Sequence, residues 1–228
     1  MSGSEQRVTL KVMAVFGTRP EAIKMAPVIK ALAEHPATEP VVTVTAQHRE
    51  LLDQVLDHFD IRPDYDLDIM QERQTLSHIA RRALTGLDEV LAEARPDVVL
   101  VHGDTLTTFI GALVAFFHRV PVGHVEAGLR TFRKYEPFPE EMCRKLTASV
   151  ADLHFAPTPA ARRNLEAEGI DGESIFVTGN TAIDALLLTV DRSRPFSDPR
   201  LEELLRAPGR LVIAEIHRRE NWGEHVRQ

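Results

Sequence analysis

The chain has 228 residues, 43% hydrophobic and 27% charged, enough for one large domain or one domain and the start of another. A net charge of −7 is the wrong balance for a general binder of nucleic-acid backbones, although a local cluster could still hold one small anion. Cys143, the single cysteine, excludes an internal disulfide; the polar start up to Arg7 and the short apolar run after it give no signal peptide or membrane span, so a cytoplasmic location is expected.

A strand is expected over residues 11–16, a helix over 22–34, a strand over 41–45, and helices over 49–59 and 76–94. Strand and helix then alternate: 98–101 with 109–118, 122–126 with 140–150, 153–156 with 159–168, and 175–177 with 181–190. Most of these strands are nearly continuous Val, Ile and Leu runs, the pattern of a parallel sheet covered on both faces. The alternation predicts a doubly wound, Rossmann-like α/β sheet. Residues 191–200, polar and carrying Pro195 and Pro199, read as a linker. A short helix and a strand over 211–214 follow, and one strand cannot bury itself. The expected organisation is therefore a Rossmann-like domain over 1–190, a linker over 191–200, and the start of a second domain over 201–228.

Ligands of such sheets bind beyond the carboxyl ends of the strands, so the loops there are the first place to look for chemistry. The first strand runs into Gly17-Thr18-Arg19-Pro20-Glu21-Ala22-Ile23-Lys24, where Gly17 permits a tight turn and Pro20 suits a helix start. The free N–H groups of that helix, with Arg19 and Lys24, favour a phosphate-like anion. Neither a GxGxxG nor a Walker loop is present, which argues against dinucleotide binding and simple nucleotide hydrolysis.

His102-Gly103-Asp104-Thr105 and His124-Val125-Glu126-Ala127-Gly128-Leu129-Arg130 end two further strands, so two acids, two histidines and an arginine are expected on one rim. Asp104 could simply cap the next helix. Glu126 is harder to explain that way, because a carboxylate ending a buried apolar strand costs free energy unless it is paired or used. Pro137-Phe138-Pro139 stiffens the approach to Glu140, and Glu140 and Arg144 lie four apart at a helix start, the spacing of an ordinary solvated ion pair. Three acids near one crevice could raise at least one carboxyl pKa and supply acid and base groups. His118 and His154, on element ends, read as structural or exposed, and no zinc, EF-hand or Ser-His-Asp spacing appears. His217-Arg218-Arg219-Glu220-Asn221 reads as a second anion-binding loop or as a charged surface loop.

These motifs, together with Ala46-Gln47-His48-Arg49, Arg73-Gln74-Thr75-Leu76, residues 154–158 and residues 179–184, resemble the non-hydrolysing UDP-N-acetylglucosamine 2-epimerases, in order and over almost the entire chain. The resemblance implies a glycosyltransferase-B-like fold of two Rossmann-like domains with the substrate in the cleft between them. It implies interconversion of UDP-N-acetylglucosamine and UDP-N-acetylmannosamine with no NAD, metal or other cofactor, through elimination of UDP to a glycal and its re-addition. Asp104, Glu126 and Glu140 are the acid/base candidates carried over, with His217, Arg19, Lys24 and Arg144 supplying charge and positioning. Gln47, Arg73, Gln74 and Arg218 match positions of an allosteric UDP-N-acetylglucosamine site. A homodimer and a role in cell-envelope polysaccharide synthesis are implied in the same way.

The sequence departs from the family pattern at Cys143, where Asn is usual, at Glu215-Ile216, where small residues are usual, and in length, since most of the second domain is missing. A half-cleft should turn over poorly, which leaves a catalytically inactive nucleotide-sugar-binding or dimerisation fragment as one alternative and a hydrolysing relative as another.

Overall fold

The computed structural model describes residues 9–46, 49–69, 74–190 and 198–212. The chain separates into two compact units, Met1–Thr189 and Val190–Gln228.

The first unit alternates β1 (Leu10–Phe16), α1 (Arg19–Glu34), β2 (Thr38–Val44), α2 (Arg49–His58), β3 (Tyr65–Asp66), α3 (Leu76–Ala94), β4 (Val98–His102) and α4 (Leu106–Phe117). β5 (Val122–Val125), α5 (Glu140–Val150), β6 (Leu153–Ala156), α6 (Pro159–Ala167), β7 (Ile175–Val177) and α7 (Thr181–Thr189) complete it. The described part of the second unit holds α8 (Pro199–Arg206). Among the described residues seven strands form one sheet, all parallel, in the order β3-β2-β1-β4-β5-β6-β7. Strand order reverses between β1 and β4, so the crevice of this doubly wound sheet opens at their carboxyl ends.

The alternation along β1 shows why the sheet is double-sided. Val12, Ala14 and Phe16 pack with Met25, Ile29 and Leu52 on the face of α1 and α2. Met13 and Val15 pack with Leu87, Leu91 and Ile110 on the face of α3 and α4. Burying each large apolar side chain contributes about 1.5–3 kcal/mol, and with both faces covered no polar alternation is left to read.

Several boundaries differ from the sequence expectation for local reasons. α1 starts at Arg19 and α4 at Leu106, each three residues early. Thr18 and Glu21 form a capping box in the first case; in the second the Thr105 hydroxyl accepts from the Thr108 amide at 3.2 Å. β2 begins before Pro40, whose missing N–H disguised the strand, and β3 has too few residues to show a period. Leu211 and Val212 carry no regular structure, and the rest of the strand expected there lies outside the described residues. No helix among the described residues is long and apolar enough to cross a membrane.

Candidate active site

The loop after β1 is tied to the loop after β4 by one side chain that the sequence reading passed over. Glu21 is 3% exposed, and its Oε2 accepts from the amides of Gly17 (2.9 Å) and Thr18 (2.8 Å) and from the Thr18 hydroxyl (2.9 Å). Oε1 accepts from Thr105 Oγ1 at 2.6 Å and lies 3.0 Å from Thr108 Oγ1. Burial pushes the Glu21 carboxyl above its ordinary pKa, against the pull of these hydrogen bonds. The Thr-x-x-Glu spacing was the available signal for the capping box; its long-range partners left no local trace.

Arg19 sits at the first position of α1, exposed, and makes no hydrogen bond or ion pair among the described residues. Among the described residues its charge is therefore uncommitted, and it stands beside a helix N-terminus, an arrangement that favours an anion. Lys24, further along the same helix, is committed elsewhere: Nζ donates to Glu126 Oε2 at 2.5 Å.

Glu126 follows β5 with φ of +63°, a left-handed conformation that costs a non-glycine residue on the order of 1–3 kcal/mol. Asn180, just before α7, donates from Nδ2 to the same Oε2 at 2.6 Å, while Oε1 accepts no hydrogen bond among the described residues. Burial acts to raise the Glu126 pKa, but His102, Lys24 and Asn180 outweigh it and leave the carboxyl below its ordinary range.

The two histidines stay inside the sheet rather than on the rim. His102 is buried, with neither ring nitrogen bonded to another of the described residues, and burial pushes its pKa down to about 4. Nε2 of His124 lies 2.7 Å from the carbonyl oxygen of Gly103 and must donate to it. Nδ1 of the same ring is buried without a partner among the described residues, and burial lowers the His124 pKa to about 3. Both rings are thus neutral at neutral pH, and His124 supports the loop carrying Asp104 from below. His154, on β6, is buried as well. Arg130 turns away from the rim to pair with Glu168 at 2.7 Å.

On the other side of Gly103, Asp104 forms an ion pair with Arg144 of α5. Arg144 also lies 3.5 Å from Glu141, whose buried carboxylate accepts from the amides of Thr131 (3.1 Å) and Phe132 (3.0 Å). The helical pair of Glu140 with Arg144 suggested by their spacing does not form, because Arg144 reaches across to Asp104 instead. Glu140 keeps an Oε2 that is buried without a hydrogen-bond partner among the described residues. Cys143 lies in reach of both acids; burial first, then Glu140 and Asp104, push its thiol up to about 11, so it is no nucleophile at neutral pH.

Lys24, Asp104, Glu126 and Arg144 thus gather at the carboxyl ends of β1, β4 and β5 as two adjoining acid–base pairs. Gln74, half-buried, precedes the Thr75 cap of α3. Gln47, Arg73, His217 and Arg218 lie outside the described residues.

Residues 30–228 match the family described as UDP-N-acetylglucosamine 2-epimerase. A UDP-N-acetylglucosamine 2-epimerase of Bacillus subtilis is 58% identical over 215 residues, covering 94% of this chain and 56% of the relative. A crystal structure of a UDP-N-acetylglucosamine 2-epimerase superposes with a TM-score of 0.82 at 60% identity, over 86% of this chain and 55% of that one. One from Neisseria meningitidis, bound to UDP-GlcNAc, gives 0.75 at 54% identity over 78% and 49% of the two chains. The chain therefore spans about half the length of the relatives it matches.

Proposed function

The chain belongs to the UDP-N-acetylglucosamine 2-epimerase family, and on that footing we propose that it serves the non-hydrolysing interconversion of UDP-N-acetylglucosamine and UDP-N-acetylmannosamine. The observation that carries this reading is Glu126, held ionised at a strand end by Lys24 and Asn180 beside the Asp104–Arg144 pair. A base removes the proton at C2, the electrons form a C1=C2 double bond, and the C1–O bond breaks so that UDP departs with its electron pair. Returning a proton to the opposite face of C2 as UDP re-adds at C1 gives the epimer. Such a sequence needs carboxyl groups near C2 and fixed positive charge around the leaving diphosphate.

Asp104, Glu126 and Glu140 are the acid/base groups in this reading, with Arg19, Lys24, Arg144 and His217 supplying charge, hydrogen bonds and positioning. Gln47, Arg73, Gln74 and Arg218 form the allosteric site. Residues 1–190 are the first domain of a glycosyltransferase-B-like pair, 191–200 the linker and 201–228 the start of the second. The protein works in the cytoplasm as a homodimer and feeds cell-envelope polysaccharide synthesis.

Proton NMR of UDP-N-acetylglucosamine incubated with the chain in D2O tests this directly. Deuterium at C2 together with UDP-N-acetylmannosamine is the expected result. Free UDP with N-acetylmannosamine would mean hydrolysis, and no exchange at saturating substrate would refute the reading for this chain.

A further inference from the structure

Both donors that hold Glu126 converge on one of its oxygens. Lys24 Nζ and Asn180 Nδ2 meet Oε2 at 2.5 and 2.6 Å, and Oε1 is left with no partner among the described residues. Oε1 lies 4.0 Å from where a β-carbon on Gly103 would stand, beside the loop that carries Asp104. A carboxylate anchored this way has one oxygen fixed by the protein and one available to a ligand.

Asn180 is built for that task at both ends of its amide. Oδ1 accepts from the Ala182 amide at 2.9 Å at the start of α7, so Nδ2 is the end that faces Glu126. Flipping the amide would set two acceptors against each other and two donors against each other, so the orientation is fixed by its surroundings. Gly179, at φ of +83° with nothing near its missing side chain, makes the turn that presents Asn180. Ala185 of α7 packs into the same core cluster as Met25 and Ile29 of α1, so the helices bringing Asn180 and Lys24 to one oxygen are held together.

We propose that Asn180 is a positioning residue for Glu126: with Lys24 it pins Oε2, so that Oε1 is the oxygen that exchanges the proton with C2 of the sugar. This rests on the epimerase reading above for the identity of the proton, but not for the Asn180–Glu126 link. The groups facing the Glu126 carboxyl are Lys24 from α1, His102 from β4 and Asn180 from the start of α7. Loss of the Asn180 donor removes one stabiliser of the carboxylate while Lys24 and His102 remain.

Three variants of the full chain separate this role from simple capping of α7. Asn180→Ser keeps a good helix cap but is too short to reach Glu126. Asn180→Asp keeps the cap and replaces the donor with an acceptor. Glu126→Gln assigns the Glu126 signal in a carbon-13 titration of labelled Glu carboxyls. The Glu126 midpoint should rise in Asn180→Ser and further in Asn180→Asp, with thermal stability nearly unchanged in the serine variant. In the C2 deuterium-exchange assay kcat should fall about tenfold or more, because the base is no longer oriented, and KM should change little. A serine variant with the wild-type Glu126 midpoint and wild-type kcat would overturn the proposal and leave Asn180 as a cap only. A raised midpoint in a protein whose wild type never exchanges C2 would sustain the Asn180–Glu126 link and remove the epimerase reading instead.

Discussion

Replacing His124 by Gln should flatten the loss of stability that this fold suffers in weak acid. Folded His124 takes up a proton only near pH 3, against an ordinary value of 6.5, because the ring is fully buried and its Nδ1 has no partner among the described residues. Between those values the unfolded chain binds a proton that the folded chain does not, so stability falls as pH falls through that window. Going from near pH 7 to near pH 5, the proton-binding difference for His124 amounts to about 2 kcal/mol. His102, with a folded value of about 4, adds about 2 kcal/mol in the same direction. The raised carboxyl of Glu21 opposes them, since it favours the folded state as pH drops. That opposition is common to wild type and variant and cancels in their difference. A Gln side chain can place its amide nitrogen near the position of Nε2 and still donate to Gly103, so the loop below Asp104 keeps its support. Urea unfolding followed by circular dichroism at the two pH values gives the comparison. The variant should lose about 2 kcal/mol less than wild type. Parallel losses in the two proteins would show that the folded ring accepts its proton readily, and the account of the buried imidazole would be wrong.

Glu21→Gln should leave the fold intact and stabilise it at neutral pH. The amide oxygen can take over the three donors at Oε2, its NH2 can donate to the Thr105 and Thr108 hydroxyls, and no buried charge remains. The gain should shrink at low pH, where the wild-type carboxyl is itself protonated; a variant less stable than wild type near pH 7 would mean that the loops need the charge. Gly128→Ala should cost about 3 kcal/mol or more and lower the urea midpoint accordingly, because φ is +84° and the added carbon would overlap the carbonyl of Ala161. A wild-type midpoint would show that this loop yields more easily than its packing implies.

What could be read from the sequence divides along a physical line. A strand buried on both faces is written as a local run of β-branched and aliphatic residues, so β1, β4, β5, β6 and β7 were legible within a residue or so of their ends. β3 was not, because a two-residue strand bonded to one neighbour has no run to show. The rule that ligands gather beyond strand ends put Lys24, Asp104 and Glu126 on one rim from chain position alone, and the structure has them at the ends of β1, β4 and β5. Which side chain pairs with which is a different kind of fact: Lys24 and Glu126 are 102 residues apart, Asn180 and Glu126 are 54 apart, and Glu21 meets Thr105 from 84 residues away. The one pairing that local spacing did suggest, Glu140 with Arg144, is the one that does not form. Helical spacing offers a pair worth only about 0.2–0.5 kcal/mol, and a part-buried partner across the crevice can outcompete it. Strand-end position therefore locates the candidate site, whereas long-range pairing sets the state of each of its residues. Asp104 is neutralised by an arginine, Glu126 is tethered through one oxygen, and Glu140 has an oxygen with no partner among the described residues. Three carboxyl groups that look alike in the sequence thus stand in three environments, and the differences between them are what acid–base chemistry needs.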